Sequence, residues 1–187
     1  ETDIVTGRHL KKIPKAVEEI CSVCPKKPSV VMICITCVDA LLGTDMERIC
    51  RKSEEKTGLP VRPCYMYALT REGRKPPMVH VRQSLYSLLE PKKKKGNVVN
   101  LLGFFSPLMD DCELYGMLEK AGVKTVHEIS RCKNYEEYQT MAEANFNLVL
   151  HPEARFAAED FHDRLKIFMR NCRFRLLNYE DYTRSIR

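Results

Sequence analysis

The chain has 187 residues, of which 44% are hydrophobic, and a formal net charge of +6 at neutral pH. This composition is typical of a globular protein with one large domain or two small ones. No apolar run approaches the ~20 residues that cross a bilayer, and no signal peptide is recognisable, so we expect a cytoplasmic protein with no membrane partner.

A run of four consecutive lysines occupies residues 92–95. Such a run is usually a solvated linker, and no nucleic-acid-binding motif or interleaved aromatic residue accompanies it, so we expect no nucleic-acid partner. Pattern and composition both change around the lysines, between Pro91 and Gly96. We therefore predict a first domain at 1–90, a basic linker at 91–96 and a second domain at 97–187.

The first of these domains contains the clearest strand of the chain. Residues 30–35 are apolar and mostly β-branched without polar alternation, which predicts a central parallel strand buried on both faces. Asp45 is placed to cap the helix that follows, and the next strand completes a βαβ unit. The predicted elements are a helix at 13–21, the strand at 30–35, a helix at 45–56, a strand at 59–65 and a helix at 78–89.

The second domain alternates short strands with helices, which is typical of an α/β fold with a parallel sheet. The predicted elements are a strand at 97–103, a helix at 110–120, a strand at 123–129, a helix at 134–142, a strand at 146–150, a helix that Pro152 opens, and a strand at 174–177.

The chain contains nine cysteines. The odd number, with Cys34 inside an apolar strand, argues against a secreted disulfide framework and favours reduced thiols, some of which could ligate metal. Two C-x-x-C pairs, Cys21/Cys24 and Cys34/Cys37, superficially match a zinc module. Zinc needs four converging thiolates, and residues three apart on a strand point to opposite faces unless the chain turns between them. A zinc or protein interaction module with structural cysteines is one alternative function.

Two residues stand directly after predicted strands, where open α/β sheets place their ligands. A thiolate at Cys37 would suit iron or copper if other ligands came from elsewhere; the alternative is a structural thiol. His151 follows the strand at 146–150 and precedes a helix. It could ligate a metal, donate a hydrogen bond to a cofactor, or simply bond a backbone group at the strand end.

Several segments, in the right order along nearly the whole chain, resemble those of one family. Thr36-Cys37-Val38 followed by Leu41-Leu42-Gly43-Thr44-Asp45 is similar to the strand-end motif of the nitrogenase component 1-type oxidoreductases. Similar segments are Asp3-Ile4-Val5-Thr6-Gly7, Asn100-Leu101-Leu102-Gly103, Glu113-Leu114, Leu118-Glu119-Lys120-Ala121-Gly122-Val123 and Ala144-Asn145-Phe146-Asn147-Leu148-Val149.

The resemblance implies two Rossmann-like three-layer domains with mainly parallel sheets, truncated relative to the family. Cys37 matches the cysteine that helps to hold an iron–sulfur cluster at the interface of two related subunits. The other ligands would come from a segment upstream of Glu1 and from a homologous sister subunit. We then expect an isolated fragment to be inactive, and it need not carry a cofactor.

Two departures from the family pattern bear on activity. His151 stands where the catalytic nitrogenase subunit carries a cysteine that ligates its active-site cluster. Gln83-Ser84-Leu85 is similar to a family segment, but Tyr86 and Ser87 follow instead of histidines. The resemblance thus implies an oxidoreductase subunit that relays electrons from an ATP-dependent iron–sulfur reductase to a substrate other than dinitrogen. The alternative within the family is a non-catalytic scaffold on which a metal cofactor is assembled and then handed over.

Overall fold

The computed structural model describes residues 7–66 and 76–171. The chain divides into two compact units, Glu1–Leu89 and Glu90–Arg187. Every strand pair in the described ranges is parallel, which confirms the predicted α/β class. None of the helices within those ranges is long and apolar enough to cross a membrane.

The first unit is built on a pair of parallel strands, β1 and β2, in which Val31 is in register with Val61. Val31 and Ile33 pack on the side of the sheet that faces Val17 and Cys50 of the flanking helices. The elements are α1 (Arg8–Val23), β1 (Val31–Ile35), α2 (Cys37–Leu41), α3 (Met46–Thr57), β2 (Val61–Tyr65) and α4 (Pro77–Tyr86). The predicted βαβ unit is β1, α3 and β2.

Local capping fixes α3 as the sequence predicts. The Asp45 carboxylate accepts a hydrogen bond from the backbone N–H of Arg48 at 3.0 Å and caps the first turn. Gly58, at a φ of 65°, ends the helix in the left-handed conformation that glycine adopts without strain. The carboxylate of Glu54 then accepts from the Arg62 guanidinium at 2.6 Å, which ties α3 to β2.

The prediction that β1 is buried on both faces is wrong. Its residues are mostly half-buried, Ile35 is buried and Cys34 is exposed. Within the described residues β1 pairs with β2 alone, so it is not a central strand there. An apolar run indicates that a strand favours burial, but the sequence alone does not reveal whether other elements cover one face of the strand or both.

The second unit contains a four-stranded parallel sheet in the order β4-β3-β5-β6. Its elements are β3 (Val98–Leu102), α5 (Glu113–Lys120), β4 (Thr125–Glu128), a 3-10 turn at Ile129–Arg131, α6 (Tyr135–Gln139), a 3-10 turn at Thr140–Glu143, β5 (Phe146–Val149), a 3-10 turn at Pro152–Ala154, α7 (Arg155–Leu165) and β6 (Phe168–Asn171). The predicted strand at 174–177 lies outside the described residues, and the sequence pattern did not predict β6.

The two faces of this sheet differ in chemistry. Val99 and Leu101 pack with Leu150 and with the apolar side of α5. On the opposite face, the fully buried side chains of Asn100 and Asn147 stand in register on β3 and β5. The Asn100 amide donates to the Asn147 side-chain oxygen at 2.8 Å and to the carbonyl of Met141 at 2.9 Å. A polar clamp therefore joins the two central strands to the 3-10 turn at Thr140–Glu143.

The lysine run is attached to the second unit. The Lys94 ammonium donates to the carbonyl of Ala142 at 2.6 Å, and partial burial lowers its pKa. Lys95 donates its backbone N–H to the carbonyl of Glu143 at 2.8 Å, and its ammonium lies 2.5 Å from the Glu143 carboxylate. Lys94 is therefore half-buried rather than fully solvated, whereas Lys95 stays exposed while it pairs with Glu143. The linker at 91–96 and the domain limits at 90 and 97 stay a prediction.

The hydrogen bonds of Asn100 and Asn147 predict that the two asparagines contribute unequally to the free energy of unfolding. We expect Asn100→Ala to lower the free energy of unfolding by about 2–3 kcal/mol, because it removes two buried hydrogen bonds and leaves the buried side-chain oxygen of Asn147 without this donor. Asn147→Ala should cost about 1–2 kcal/mol, since Asn100 keeps its bond to Met141. Urea denaturation measures both, with exposed Asn145→Ala as a control that should change little. Equal costs for the two buried asparagines would contradict this ranking.

Candidate cluster-binding and cofactor-binding residues

Cys37 lies at the carboxyl end of β1, in the first turn of α2. The turn forms because the Thr36 hydroxyl and backbone N–H both donate to the Asp39 carboxylate, at 3.1 and 3.4 Å. This capping by Thr36 and Asp39 starts a helix at Cys37, two residues after the strand ends at Ile35. The chain therefore turns between Cys34 and Cys37, as convergence of that pair would require.

The surface around Cys37 is open and apolar. Cys37 is exposed, and none of the five residues of α2 is buried. Val38, Leu41 and Leu42 are exposed to 49%, 73% and 48%. A thiol surrounded by exposed aliphatic side chains is accessible to a metal group, and such a surface is typical of one that another polypeptide covers.

The structure does not assemble the four-cysteine zinc module. Cys21 packs in the core cluster with Val31 and Ile33, whereas Cys34 alternates with them and therefore faces the other side of β1. Among the residues that the structure describes, no three histidine, cysteine or acidic side chains gather to hold a metal ion. Any cluster at Cys37 would thus take its other ligands from outside the described residues.

His151 lies directly after β5, one residue beyond Leu150. Its Nδ1 accepts a hydrogen bond from the backbone N–H of Glu153 at 3.3 Å and caps the 3-10 turn that leads into α7. The Glu153 carboxylate is 3.8 Å from the same nitrogen. Because the lone pair of Nδ1 is engaged, the neutral imidazole carries its proton on Nε2. His151 is thus arranged as a hydrogen-bond donor and N-cap, rather than as a metal ligand through Nε2.

Gly103 permits the close approach of the two strand ends. The backbone N–H of Leu150 donates to the carbonyl of Leu102 at 2.7 Å, which continues the β3–β5 pairing beyond the strands. A Cβ atom on Gly103 would lie 2.8 Å from the backbone nitrogen of His151 and 3.0 Å from the Cβ atom of His151. Glycine is needed there because any side chain would displace His151. Gly103 belongs to one of the segments that resemble the family, but the sequence alone does not reveal its close contact with His151.

A buried carboxylate holds the loop that follows β3. Glu128, at the end of β4, accepts from the Tyr115 hydroxyl, from the Leu108 backbone N–H at 3.0 Å and from the Arg131 guanidinium at 3.1 Å. Arg131 also donates to the Leu108 carbonyl at 2.7 Å and to Asp110 at 2.6 Å. Burial and the Glu128 carboxylate raise the pKa of Tyr115. Sequence reasoning missed this network, because its members are separated along the chain.

The anchored loop presents aromatic side chains beside His151. The ring of Phe104 meets the imidazole edge-on, with centroids 5.7 Å apart at 72°. Phe104 and Phe105 are themselves 44% and 39% exposed. The carboxyl edge of the second sheet thus combines a hydrogen-bond donor with accessible apolar rings, which suits a partly apolar ligand.

Parallel sheets with candidate ligands at the carboxyl ends of their strands define a Rossmann-like α/β protein. The family model described as "Nitrogenase component 1 type Oxidoreductase" matches residues 1–174. The chain belongs to this family, which confirms the resemblance. Cys37 lies in its first unit and His151 in its second.

Among curated relatives, the nitrogenase iron-molybdenum cofactor biosynthesis protein NifE of Rhizobium meliloti (strain 1021) is 31% identical over 127 residues, which are 66% of this chain and 26% of the relative. NifE of Nostoc sp. (strain PCC 7120) is 27% identical, over 80% of this chain and 31% of the relative. The nitrogenase molybdenum-iron protein alpha chain of Methanosarcina barkeri is 25% identical, over 80% and 28% respectively.

A solved structure, "Nitrogenase Cp1 at pH 6.5", superposes with a TM-score of 0.70 at 23% identity, over 93% of this chain and 34% of that one. This likeness confirms the predicted fold class. The chain spans about a quarter to a third of the length of the proteins it matches.

The contact at Gly103 can be tested with two alanine substitutions, one of which should lower the free energy of unfolding and the other raise it. We expect Gly103→Ala to lower the free energy of unfolding by about 1–3 kcal/mol, because the new methyl group overlaps the backbone at His151. Gly116→Ala, in helix α5 with open space around it, should raise that free energy by about 0.5–1 kcal/mol. Thermal or urea unfolding measures both. A Gly103→Ala variant as stable as the unsubstituted protein would contradict the packing argument.

Proposed function

We propose that this chain is part of a cytoplasmic subunit of a nitrogenase component 1-type complex and that Cys37 ligates an iron–sulfur cluster at the interface with a homologous sister subunit. One observation carries the proposal: the Cys37 thiol is exposed at the end of a parallel strand, on a helix with no buried residue. A ligand shared between subunits has to lie on such a surface.

The chemistry of the residue fits the group. Thiolates are the usual ligands of iron–sulfur clusters, and such a cluster, when bound, supplies one-electron transfer. Cys37 provides one ligand, and the others would come from outside the described residues and from the sister subunit. The exposed side chains of Val38, Leu41 and Leu42 support the same placement, because apolar contacts at the centre of an interface exclude water from a shared site.

Within this class, metal-cofactor assembly has the better support. Relatives from several organisms bear the name of an iron-molybdenum cofactor biosynthesis protein. At the carboxyl edge of the second sheet, His151 has its Nδ1 engaged by Glu153 and can offer an N–H group. A hydrogen bond holds a metal cofactor less firmly than a cysteine thiolate bonded to iron, so this edge suits a cofactor that is later released.

Electron relay is the second candidate. In that role the subunit would accept electrons from an ATP-dependent iron–sulfur reductase, through the cluster at Cys37, and pass them to a substrate. The similarity to a nitrogenase molybdenum-iron protein alpha chain favours it. The two roles separate by experiment: an assembly scaffold transfers its cofactor to an acceptor protein without turnover, whereas a relay subunit turns over substrate and keeps its cofactor.

The cluster assignment is tested by Cys37→Ala. The full protein should be purified with its sister subunit without oxygen, and iron, acid-labile sulfide and visible absorption measured. We expect the substitution to lower cluster content severalfold, because one of the cluster's thiolate ligands would be lost. Cys24→Ala is the matched control, since Cys24 is also an exposed cysteine of the first unit, and it should change nothing. Full cluster content in Cys37→Ala, or no iron in the unsubstituted complex, would refute the assignment.

The handover role is tested by His151→Cys. A cysteine at this strand end supplies a thiolate ligand in place of an N–H donor, so we expect cofactor transfer to an acceptor protein to slow by about tenfold or more, a change of about 1.4 kcal/mol. The metal that remains bound after mixing is the readout. His151→Ala, which adds no ligand, should transfer at least as fast as the unsubstituted protein. Equal transfer by the cysteine and alanine variants would count against this role.

A further inference from the structure

Cys34 and Cys64 form a pair that lies outside the proposed cluster site. The two residues are register partners on the parallel strands β1 and β2. Neighbouring strands lie about 4.8 Å apart, and register partners project to the same face of a sheet. A disulfide spans Cα separations of roughly 4.4–6.8 Å, so the backbone already brings this pair within range.

The two thiols differ in accessibility. Cys34 is exposed, whereas Cys64 is only 6% exposed. Burial and then the adjacent Cys34, which interacts with it electrostatically and by a hydrogen bond, raise the pKa of the Cys64 thiol. Of the two, Cys34 is therefore the thiol that a dissolved oxidant reaches, and Cys64 is the protected neighbour beside it. An exposed thiol next to a second cysteine is the usual arrangement of a reversible oxidation site.

We propose that Cys34 and Cys64 form such a site, in which a peroxide converts the pair to a disulfide. The Cys34 thiolate attacks one peroxide oxygen, the O–O bond breaks, and the leaving hydroxide takes up a proton to become water. Cys34 is now a sulfenic acid. The Cys64 sulfur attacks the Cys34 sulfur, the S–S bond forms, and the oxygen leaves as a second water with the proton of Cys64. The two thiols lose two electrons, and the peroxide gains them.

The disulfide would covalently join β1 to β2 one residue before β1 ends. Cys37 is not a member of this pair, because it lies beyond the strand in the first turn of α2 and is not a register partner of Cys34 or Cys64. The oxidation site therefore stands independently of whether Cys37 binds a cluster. A dithiol reductant would reverse the reaction by exchange.

Peptide mapping after peroxide treatment tests the proposal. The reduced full protein, carrying Cys37→Ser, is exposed to hydrogen peroxide, its free thiols are alkylated, and it is digested with trypsin without reduction. Cys34 is then the sole cysteine of the peptide 27–48, and Cys64 is the sole cysteine of the peptide 57–71. We expect mass spectrometry to find these two peptides linked, with the loss of two hydrogens, and dithiothreitol to separate them.

Three variants in the same background serve as controls. Cys34→Ser, a substitution at an exposed position, should abolish the linked peptide. Cys64→Ala should leave Cys34 as a sulfenic acid that dimedone traps. Cys24→Ser should leave the linkage unchanged. The proposal is overturned if peroxide leaves Cys34 unlinked in the presence of Cys64, or if Cys64 is found linked to a different cysteine.

Discussion

Parallel strand pairing is the constraint on which the rest of the structure depends. In each unit, every described strand pair runs in one direction, so the strands end at a common edge. Residues that follow a strand are thereby placed at an edge where the backbone has to turn. Cys37 and His151 both occupy this position, and both begin a helical turn through a local hydrogen bond. Fold and candidate sites follow from the same geometry.

The two edges differ in how rigidly they are built. At β3 and β5, the absence of a side chain at Gly103 lets the strand ends pack tightly, and buried Glu128 fastens the loop that carries Phe104. At β1, the turn at Cys37 depends on Thr36 and a helix with no buried residue. A firmly built edge suits recognition of a cofactor, whereas an open one suits completion of a site by another polypeptide.

Much of this architecture was predictable from the sequence because its signals are local. Asp45 and Gly58 bound α3 through contacts within a few residues, and the apolar runs locate β1 and β5. Non-local contacts were missed. The register that joins Cys34 to Cys64 depends on strand pairing, and the exposure of Cys34 depends on which layers cover β1. No pattern of single residues encodes either of these features.

The central claim is that Cys37 holds metal at a surface shared between subunits. Anomalous diffraction at the iron absorption edge, from crystals of the complex purified without oxygen, tests it most directly. The account predicts an iron peak adjacent to the Cys37 sulfur, with the sister subunit covering Val38 and Leu41. Iron located elsewhere, with the Cys37 thiol free or packed against apolar side chains, would contradict it and leave an α/β scaffold without a cluster at this edge.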